Sequence, residues 1–314
     1  MDQYLPAQRL LFGVAIGDTF GRAFENHSRK WIAERLSMDT YPPWEDRHYT
    51  DDTQMTLAIA ELMATDLAFS KENLASFFIK AYNRDPRAGY SILTRGQLTA
   101  GRDPQSFLTF LSEEKRKERR SDGAAMRALP LGLHPDPEQV ISLSCINAKT
   151  THGHPHAIAA SVGVALLSHG LYYHKVSHHN VIPYIVSLAS HEMPEDVREH
   201  LMRLSRIPGF SPDVLLGQTN ISNGIPYEES LPFLGAVLSL VTHIGNLPEE
   251  LLKQALLLGG DTDTVAAVAL GAALIIHPYA DIPPFWIEGL ETGPYGRDFI
   301  QRLGADLHRR YPTL

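Results

Sequence analysis

Two short acidic runs, about two hundred residues apart, are the first candidates for chemistry in this chain. One occupies residues 50–53 (Thr-Asp-Asp-Thr) and the other residues 259–264 (Gly-Gly-Asp-Thr-Asp-Thr). Each is followed at once by an apolar segment of helical character, so each places carboxylates and hydroxyls at a helix N-terminus. Such an all-oxygen ligand set is preferred by hard cations such as Mg²⁺ and Mn²⁺. If the fold brings the runs together, they predict a site for two cations roughly 3.5–4 Å apart.

A simpler interpretation of either run is helix capping. Asp and Thr are favoured at helix N-termini, where their side chains accept backbone hydrogen bonds and interact well with the helix dipole. For one run alone this alternative is as good as a metal site. The shared design of the two runs, together with the neighbouring glycines, favours a common site.

The composition is that of an ordinary globular protein, and its charge argues against nucleic acid as a partner. The 314 residues are 44% hydrophobic and 20% charged, with a net charge of −8 and a pI near 6.0. Phosphate backbones need a basic face, which this balance does not supply. The single cysteine, Cys145, excludes a disulfide framework and fits a reducing compartment.

No segment is long enough to cross a membrane, and the N-terminus has no basic leader region. The longest apolar stretch, residues 265–276, is instead typical of a buried helix. These observations predict a cytoplasmic protein without a membrane partner.

Helical periodicity dominates the chain. After the first acidic run, Met55, Ile59 and Leu62 recur at spacings of three and four, which indicates a helix with one buried face. Pro155 and Pro248 predict further helix starts, as does Pro232. No repeat or change of composition marks a boundary. The sequence therefore predicts one compact all-α domain over residues 1–314.

The first predicted helix, over residues 11–25, carries three glycines on one face. Gly13, Gly17 and Gly21 are four residues apart, and each costs about 1 kcal/mol relative to alanine in a helix interior. Such a stripe indicates close approach of another backbone or of a ligand. Asp18 lies in the same apolar segment and needs a partner if it is buried. Glu25, two turns beyond Asp18, is expected to project toward the same region.

Five segments follow one another along the chain: Gly-Asp-Thr-Phe-Gly at 17–21 with Glu25, residues 50–53, Asp-Gly-Ala-Ala-Met-Arg at 122–127, Thr-His at 151–152, and residues 259–264. The two acidic runs are specific motifs, whereas the other three are weak alone. Taken together, the five segments resemble the ADP-ribosylglycohydrolase family, and the resemblance extends over about residues 10–276.

The resemblance implies an orthogonal all-α bundle with a dinuclear Mg²⁺ or Mn²⁺ site. It implies hydrolysis of the glycosidic bond between ADP-ribose and an acceptor on a protein or a small molecule. The implied metal ligands are Thr50, Asp51, Asp52, Asp261, Asp263 and Thr264. The metals would orient the ribose and lower the pKa of a water molecule, whose proton would pass to Glu25, Asp51 or Asp261. Spacing does not choose among these three.

The resemblance also implies a substrate-binding set formed by Ser121, Asp122, Gly123, Met126 and His152, with a diphosphate held by backbone N–H groups at a helix start. The family's usual residue at position 122 is Asn. A carboxylate there disfavours a diphosphate unless it is turned away, protonated or engaged elsewhere. Apart from the resemblance, residues 121–123 are more typical of a plain turn or cap than of a phosphate loop.

Three alternatives compete with the hydrolase. His152, His154 and His156 suggest zinc, but their alternate spacing does not place them on one helical face. A catalytically inactive family member that binds ADP-ribose or serves a structural role would have no reason to retain every acidic position, and here all four aspartates are present. Phosphohydrolases of the HD type need a His-Asp dipeptide, which this chain lacks. Residues that select the acceptor are expected within 82–98 or 220–229.

Overall fold

The computed structural model describes residues 4–36, 48–100, 103–219, 224–277 and 282–313, and the described chain is helical. Its extended pairing is one isolated parallel bridge between Ile225 and Gly260. The helices are α1 (Pro6–Arg22), α2 (Arg29–Arg35), α3 (Asp51–Met63), α4 (Lys71–Arg84), α5 (Ile92–Ala100), α6 (Pro104–Thr109), α7 (Glu113–Glu118), α8 (Pro137–Thr151), α9 (Pro155–Tyr172), α10 (Val181–Leu188), α11 (Glu195–Leu204), α12 (Pro212–Thr219), α13 (Ser230–Ile244), α14 (Pro248–Leu258), α15 (Thr262–Ile276), α16 (Pro284–Glu288) and α17 (Arg297–Arg310).

The glycine stripe of α1 packs against the backbone of α15. A Cβ atom on Gly13 would lie 2.7 Å from the carbonyl oxygen of Leu270, and one on Gly17 would overlap the backbone of Ala266. Residues later in α1 contact residues earlier in α15, so the two helices run antiparallel. The stripe therefore serves close helix packing, one of the two explanations that the sequence left open.

Arg9 fixes the other end of this helix pair. Its buried guanidinium donates to the carbonyl oxygens of Leu274 at 3.0 Å and Ile275 at 2.8 Å, which are the last carbonyls of α15. Helix C-termini leave such carbonyls without intrahelical partners. The C-terminal end of α1 is thereby held beside the N-terminal end of α15, where the second acidic run lies.

The predicted helix starts are confirmed at Pro155 and Pro248, each of which is the first residue of its helix. The start predicted at Pro232 is wrong by two residues, because α13 begins at Ser230. Proline is tolerated anywhere in the first turn, since the N–H groups there have no intrahelical acceptor. Proline alone therefore locates a helix start only approximately.

A second difference concerns the loop at residues 121–123, where the resemblance implied a helix start. The structure has two short 3₁₀ segments, Asp122–Ala124 and Leu129–Leu133. Pro130 lacks an N–H donor, and a side chain on Gly132 would overlap Ser168 and the backbone of α9. Close packing on α9 therefore favours a tight irregular chain here over a regular helix.

The all-α prediction is confirmed, and one apolar core links the helices. Its most buried large side chains include Phe12, Phe78, Phe233 and Trp286, contributed by helices far apart in the chain. None of the helices in the described ranges has the length and apolar character needed to span a bilayer. The organisation of residues 1–314 as a single domain stays a prediction.

Candidate metal centre

The two acidic runs meet in the folded chain. Carboxylate oxygens of Asp52, from the first run, and Asp263, from the second, lie within 4.8 Å of each other and of an oxygen of Asp18. All three residues are buried. The packing of α1 on α15 explains the third member, because Asp18 lies on α1 between the glycines that contact α15. The fold thus collects three carboxylates from three different helices.

Asp18 holds the first acidic run in place. Its carboxylate accepts hydrogen bonds from the backbone N–H of Thr50 at 2.9 and 3.0 Å, from the N–H of Thr53 at 3.0 Å and from the Thr53 hydroxyl at 2.6 Å. These donors are the free N–H groups at the start of α3. Asp18 therefore determines where α3 begins relative to α1. The sequence drew attention to Asp18 as a buried acid but did not place it at the site.

Helix capping explains one residue of the first run and does not explain the aspartates. Thr50 is the N-cap of α3, and its hydroxyl accepts from the N–H of Asp52 at 3.4 Å. Asp261 occupies the N-cap position of α15, yet its side chain makes no capping hydrogen bond. Asp52 Oδ1 and Asp261 Oδ2 are buried with no N–H or hydroxyl donor among the described residues. Buried acceptors of this kind are costly unless something else satisfies them.

The glycines before the second run allow it to fit between two other segments. Gly259 and Gly260 have φ angles of 70° and 77°, in the region that side chains rarely adopt. The N–H of Asp261 donates to the carbonyl of Ile225 at 2.8 Å, and the N–H of Asn26 donates to the carbonyl of Gly260 at 3.1 Å. The second contact ties the turn after α1, which carries Glu25, to the second acidic run.

The electrostatics of the cluster call for positive charge. Burial first, and then repulsion by neighbouring carboxylates, raises the pKa of Asp52 and Asp263 well above the usual range, and burial likewise raises that of Asp51 and Asp261. Among the described residues, no Lys or Arg forms an ion pair with any of the four. Carboxylates packed this closely stay ionised only beside a cation; otherwise they take up protons.

The donor set fits hard divalent cations. The carboxylates shown to converge are those of Asp18, Asp52 and Asp263, and two of them belong to the six residues that the resemblance implied as metal ligands. The assignment of the full set, Thr50, Asp51, Asp52, Asp261, Asp263 and Thr264, stays a prediction. Oxygen-only ligation with several carboxylates matches the preference of Mg²⁺ or Mn²⁺. The unpartnered oxygens of Asp52 and Asp261 are available to such an ion.

Glu25 lies at the edge of the cluster. It is half-buried, and Asn26 Nδ2 donates to its carboxylate at 3.1 Å. Burial raises the pKa of Glu25 above its usual value, and its charge in turn raises the pKa of Asp51 and Asp263. Glu25 is therefore close enough to interact with both acidic runs while remaining accessible from outside.

The residues just before α5 pack against Asp51, a contact that the sequence did not predict. The N–H of Asp51 donates to the carbonyl of Ala88 at 3.0 Å, and a Cβ atom on Gly89 would overlap Asp51 Oδ1. Gly89 also has a φ of 97°, so two constraints require glycine here. The segment lies within residues 82–98, one of the two regions expected to select the acceptor. In the other, residues 220–223 lie outside the described part of the chain.

The predicted substrate loop lies next to the acidic cluster. Ser121 Oγ is 2.8 Å from His152 Nε2, and a side chain on Gly123 would press on the same ring at 3.1 Å. Met126 is buried, and its N–H donates to the carbonyl of Asp122 at 3.0 Å. Ser121 and Gly123 thus lie against His152, and Asp122 and Met126 are hydrogen-bonded to each other, with a 3₁₀ turn in place of the expected helix start.

Asp122 directs its carboxyl group toward the acidic cluster. The carboxyl groups of Asp122 and Asp261 are close enough to interact, and Asp122 raises the pKa of Asp261. Asp122 Oδ2 and Asp261 Oδ2 are both buried without a hydrogen-bond donor among the described residues. Burial, followed by repulsion from the neighbouring acids, raises the pKa of Asp122 well above its usual range. The sequence left three possibilities for Asp122: turned away from the diphosphate, protonated, or engaged elsewhere. The position of its carboxyl group beside the acidic cluster agrees with the third.

The three histidines near residue 154 do not converge. His154 caps α9 by accepting from the N–H of His156 at 3.2 Å, and His156 Nε2 pairs with Asp196 at 2.8 Å. His152 instead contacts Ser121 and Thr151. Within the described ranges, the only trio of acidic, histidine or cysteine side chains close enough to share a metal is Asp18, Asp52 and Asp263. The geometry gives no support to a zinc site.

Comparison with known proteins identifies the family of this chain. A sequence profile of the ADP-ribosylglycohydrolase family matches residues 6–313. The chain belongs to this family.

Its relatives include proteins named ADP-ribosylhydrolase ARH3. It is 25% identical to the ADP-ribosylhydrolase ARH3 of Xenopus tropicalis over 335 residues, covering 96% of this chain and 94% of that protein. It is 23% identical to the human ADP-ribosylhydrolase ARH3 over 340 residues, covering 95% of this chain and 92% of that protein. A solved structure described as an ADP-ribosylglycohydrolase-related protein complex superposes with a TM-score of 0.72 at 22% identity, covering 98% of both chains. That likeness supports the all-α fold.

Proposed function

We propose that this protein is a hydrolase that cleaves the glycosidic bond between ADP-ribose and an acceptor, with two Mg²⁺ or Mn²⁺ ions as cofactors. The observation that carries the proposal is that Asp52 and Asp263, from runs far apart in the sequence, lie close together in the folded chain. Buried carboxylate oxygens of Asp52 and Asp261 have no hydrogen-bond donor among the described residues. Membership in the ADP-ribosylglycohydrolase family supports the substrate class. The retention of all four aspartates opposes an inactive family member.

The proposed cation ligands are Thr50, Asp51, Asp52, Asp261, Asp263 and Thr264. Bound cations would supply Lewis-acid chemistry, which orients ribose hydroxyls and makes a water molecule more acidic. The protein's own contribution is rigidity: Asp18 fixes the start of α3, and the glycine stripe fixes the start of α15. Side chains held in this way lose little freedom when the substrate binds.

Of the three carboxylates considered as general base, we infer that Glu25 accepts the proton. Asp261 is buried and engaged with Asp122. Asp51 is enclosed by Gly89 and Ala88. Glu25 is half-buried and carries a single side-chain hydrogen bond in the described structure, from Asn26. A carboxylate whose pKa is raised by burial is a stronger base, and it would remove the proton from water as the bond to the anomeric carbon breaks.

The substrate's diphosphate is proposed to lie against Ser121, Gly123 and His152, with Met126 beneath the turn. The backbone of Asp122 is part of this loop, whereas its carboxyl group lies beside the acidic cluster. The acceptor, whether on an ADP-ribosylated protein or on a small molecule, would approach from the side of Gly89. The lone Cys145 fits a reducing compartment such as the cytoplasm.

Incubation with a panel of substrates tests this function. ADP-ribose linked to arginine, to serine, to a nucleic-acid end and to an acetyl group would be incubated with the protein and Mg²⁺ or Mn²⁺. We expect release of free ADP-ribose from at least one member and none in the presence of a chelator. Release that persists with chelator would contradict the cation requirement, and no release from any member would contradict the proposed activity.

A further inference from the structure

A chain of four polar side chains runs from the protein interior to the substrate loop. Arg127 Nη2 donates to Thr151 Oγ1 at 2.7 Å, Thr151 Oγ1 lies 2.8 Å from His152 Nδ1, and His152 Nε2 lies 2.8 Å from Ser121 Oγ. The first three residues are buried, whereas Ser121 is half-buried. The chain therefore has one end in the core and one end accessible to a ligand.

The direction of each hydrogen bond follows from the inventory of donors. Arginine donates and cannot accept, so Thr151 Oγ1 must accept from Arg127. In the described structure the only other partner of Thr151 Oγ1 is His152 Nδ1, so the threonine proton goes to that nitrogen. Burial, with Arg119 and Arg127 nearby, lowers the pKa of His152 well below its usual value and keeps the ring neutral. Its single proton is then on Nε2.

The same accounting fixes the role of Ser121. Since His152 Nε2 carries the ring proton, it donates to Ser121 Oγ, and the serine's own proton cannot be given back to that nitrogen. Among the described residues Ser121 Oγ has no second partner. Its hydroxyl proton is therefore free for an acceptor in the cleft.

Positive charge stands behind this donor. Besides Thr151, Arg127 donates to Asn147 Oδ1 at 2.7 Å and to the carbonyl of Gly123 at 2.7 Å, and in the described ranges it pairs with no carboxylate. Burial lowers its pKa to about 9, which leaves it charged at neutral pH. A cationic donor at the head of a hydrogen-bond chain strengthens the bonds that follow.

We propose that Arg127, Thr151 and His152 form a proton-ordered chain that fixes Ser121 Oγ as a donor to a phosphoryl oxygen, and that Thr151 is the positioning residue that sets this order. The inference rests on the proposed function for the identity of the ligand, the diphosphate of ADP-ribose. It adds the direction of the protons and a role for a threonine that never touches the ligand. A ligand that offers only donors at this position is rejected, because it would leave the Ser121 proton unpaired.

Nitrogen NMR on isotope-labelled protein tests the order of protons directly. The His152 signals would be assigned by their loss in His152→Gln. We expect the unprotonated nitrogen to be Nδ1 in the wild type and in Thr151→Ser, which retains the hydroxyl. Thr151→Val removes both the acceptor for Arg127 and the donor to Nδ1, so we expect the preference for this tautomer to be lost. Protonation of Nδ1 in the wild type would overturn the proposal.

Calorimetric titration of ADP, which is not hydrolysed, tests the consequence. We expect Thr151→Val and Ser121→Ala each to weaken ADP binding by roughly tenfold, Thr151→Ser to restore it, and the double variant to be no weaker than Ser121→Ala alone. Additive losses in the double variant, or unchanged binding in Thr151→Val, would show that Thr151 does not act through Ser121. No binding of ADP to the wild type would contradict the phosphoryl ligand. Absence of hydrolysis with this pattern intact would remove the proposed function and leave the proton order standing.

Discussion

The backbone of Gly21 lies so close to the backbone of Asp263 that a Cβ atom on residue 21 would stand 2.5 Å from the Asp263 amide nitrogen. Helix α1 thus sets the position of the second acidic run without contributing a ligand from residue 21. The glycine stripe therefore allows close helix packing, and at Gly21 it also fixes the position of Asp263, a proposed cation ligand.

Gly21→Ala is expected to displace Asp263 and weaken Mn²⁺ binding by about tenfold or more, because overpacking forces the backbones apart. Gly13→Ala is the matched control, since its Cβ would meet Leu270, about two helical turns along α15 from Asp263. Both variants should lower the melting temperature. Calorimetric titration with Mn²⁺ below that temperature should separate them, and equal cation affinities would show that the Gly21 contact matters only for stability.

Cation binding is expected to release protons and to strengthen as the pH rises. Burial and mutual repulsion raise the pKa values of Asp52, Asp261 and Asp263, so the cation-free cluster holds protons that a cation must displace. Mn²⁺ affinity should therefore keep increasing with pH above the range in which a carboxyl of ordinary pKa is already fully ionised. Titrations in two buffers of different ionisation enthalpy count the protons. A count of zero, with pH-independent affinity, would contradict this description.

Asp122→Asn addresses the residue that departs from the family's usual Asn. Because its carboxyl group contacts that of Asp261, we expect the variant to bind Mn²⁺ about tenfold more weakly near pH 8 and to release fewer protons, since one negative charge is lost from the cluster. Asp298→Asn, at an exposed carboxylate, is the control. Unchanged Mn²⁺ affinity in Asp122→Asn would show that the residue contributes nothing to cation binding.

Glu25→Gln is expected to lower turnover by about a hundredfold or more, with a smaller effect on cation affinity, because it removes the proposed base and leaves both acidic runs in place. Asp51→Asn should instead lose cation affinity and turnover together. Steady-state kinetics with cation titrations on both variants separate the two roles. Full turnover in Glu25→Gln would assign the base to another carboxylate.

Sequence patterns predicted that the two acidic runs meet, because each run is compact and lies at a helix start, and the proximity of Asp52 to Asp263 agrees with this prediction. The same patterns could not show that Asp18 anchors α3, since the four hydrogen bonds that it accepts come from residues 32 and 35 positions later. The sequence also did not predict that Gly89 is part of the site. Its need for glycine arises from contact with Asp51, and no local motif records such a contact.

The direction of the Asp122 side chain was also beyond sequence reasoning. Apart from the resemblance, residues 121–123 were more typical of a capping turn than of a phosphate loop, and proximity to Asp261 follows only from how α15 packs. The helix start implied at this loop is a 3₁₀ turn for a related reason, because packing of Gly132 on α9 outweighs the helical preference of the alanines. Local propensity gave the helices, whereas long-range packing decided these details.

The central claim is that the convergent aspartates carry the hydrolysis of ADP-ribose linkages, and Asp263→Asn tests it most directly. The substitution removes a charge and changes the side-chain volume little. Release of ADP-ribose would be compared among the wild type, Asp263→Asn and the exposed Asp298→Asn at the same Mg²⁺ concentration, with circular dichroism to verify folding. We predict that release falls by about a hundredfold or more in Asp263→Asn alone. Wild-type release from a folded Asp263→Asn protein would contradict the claim.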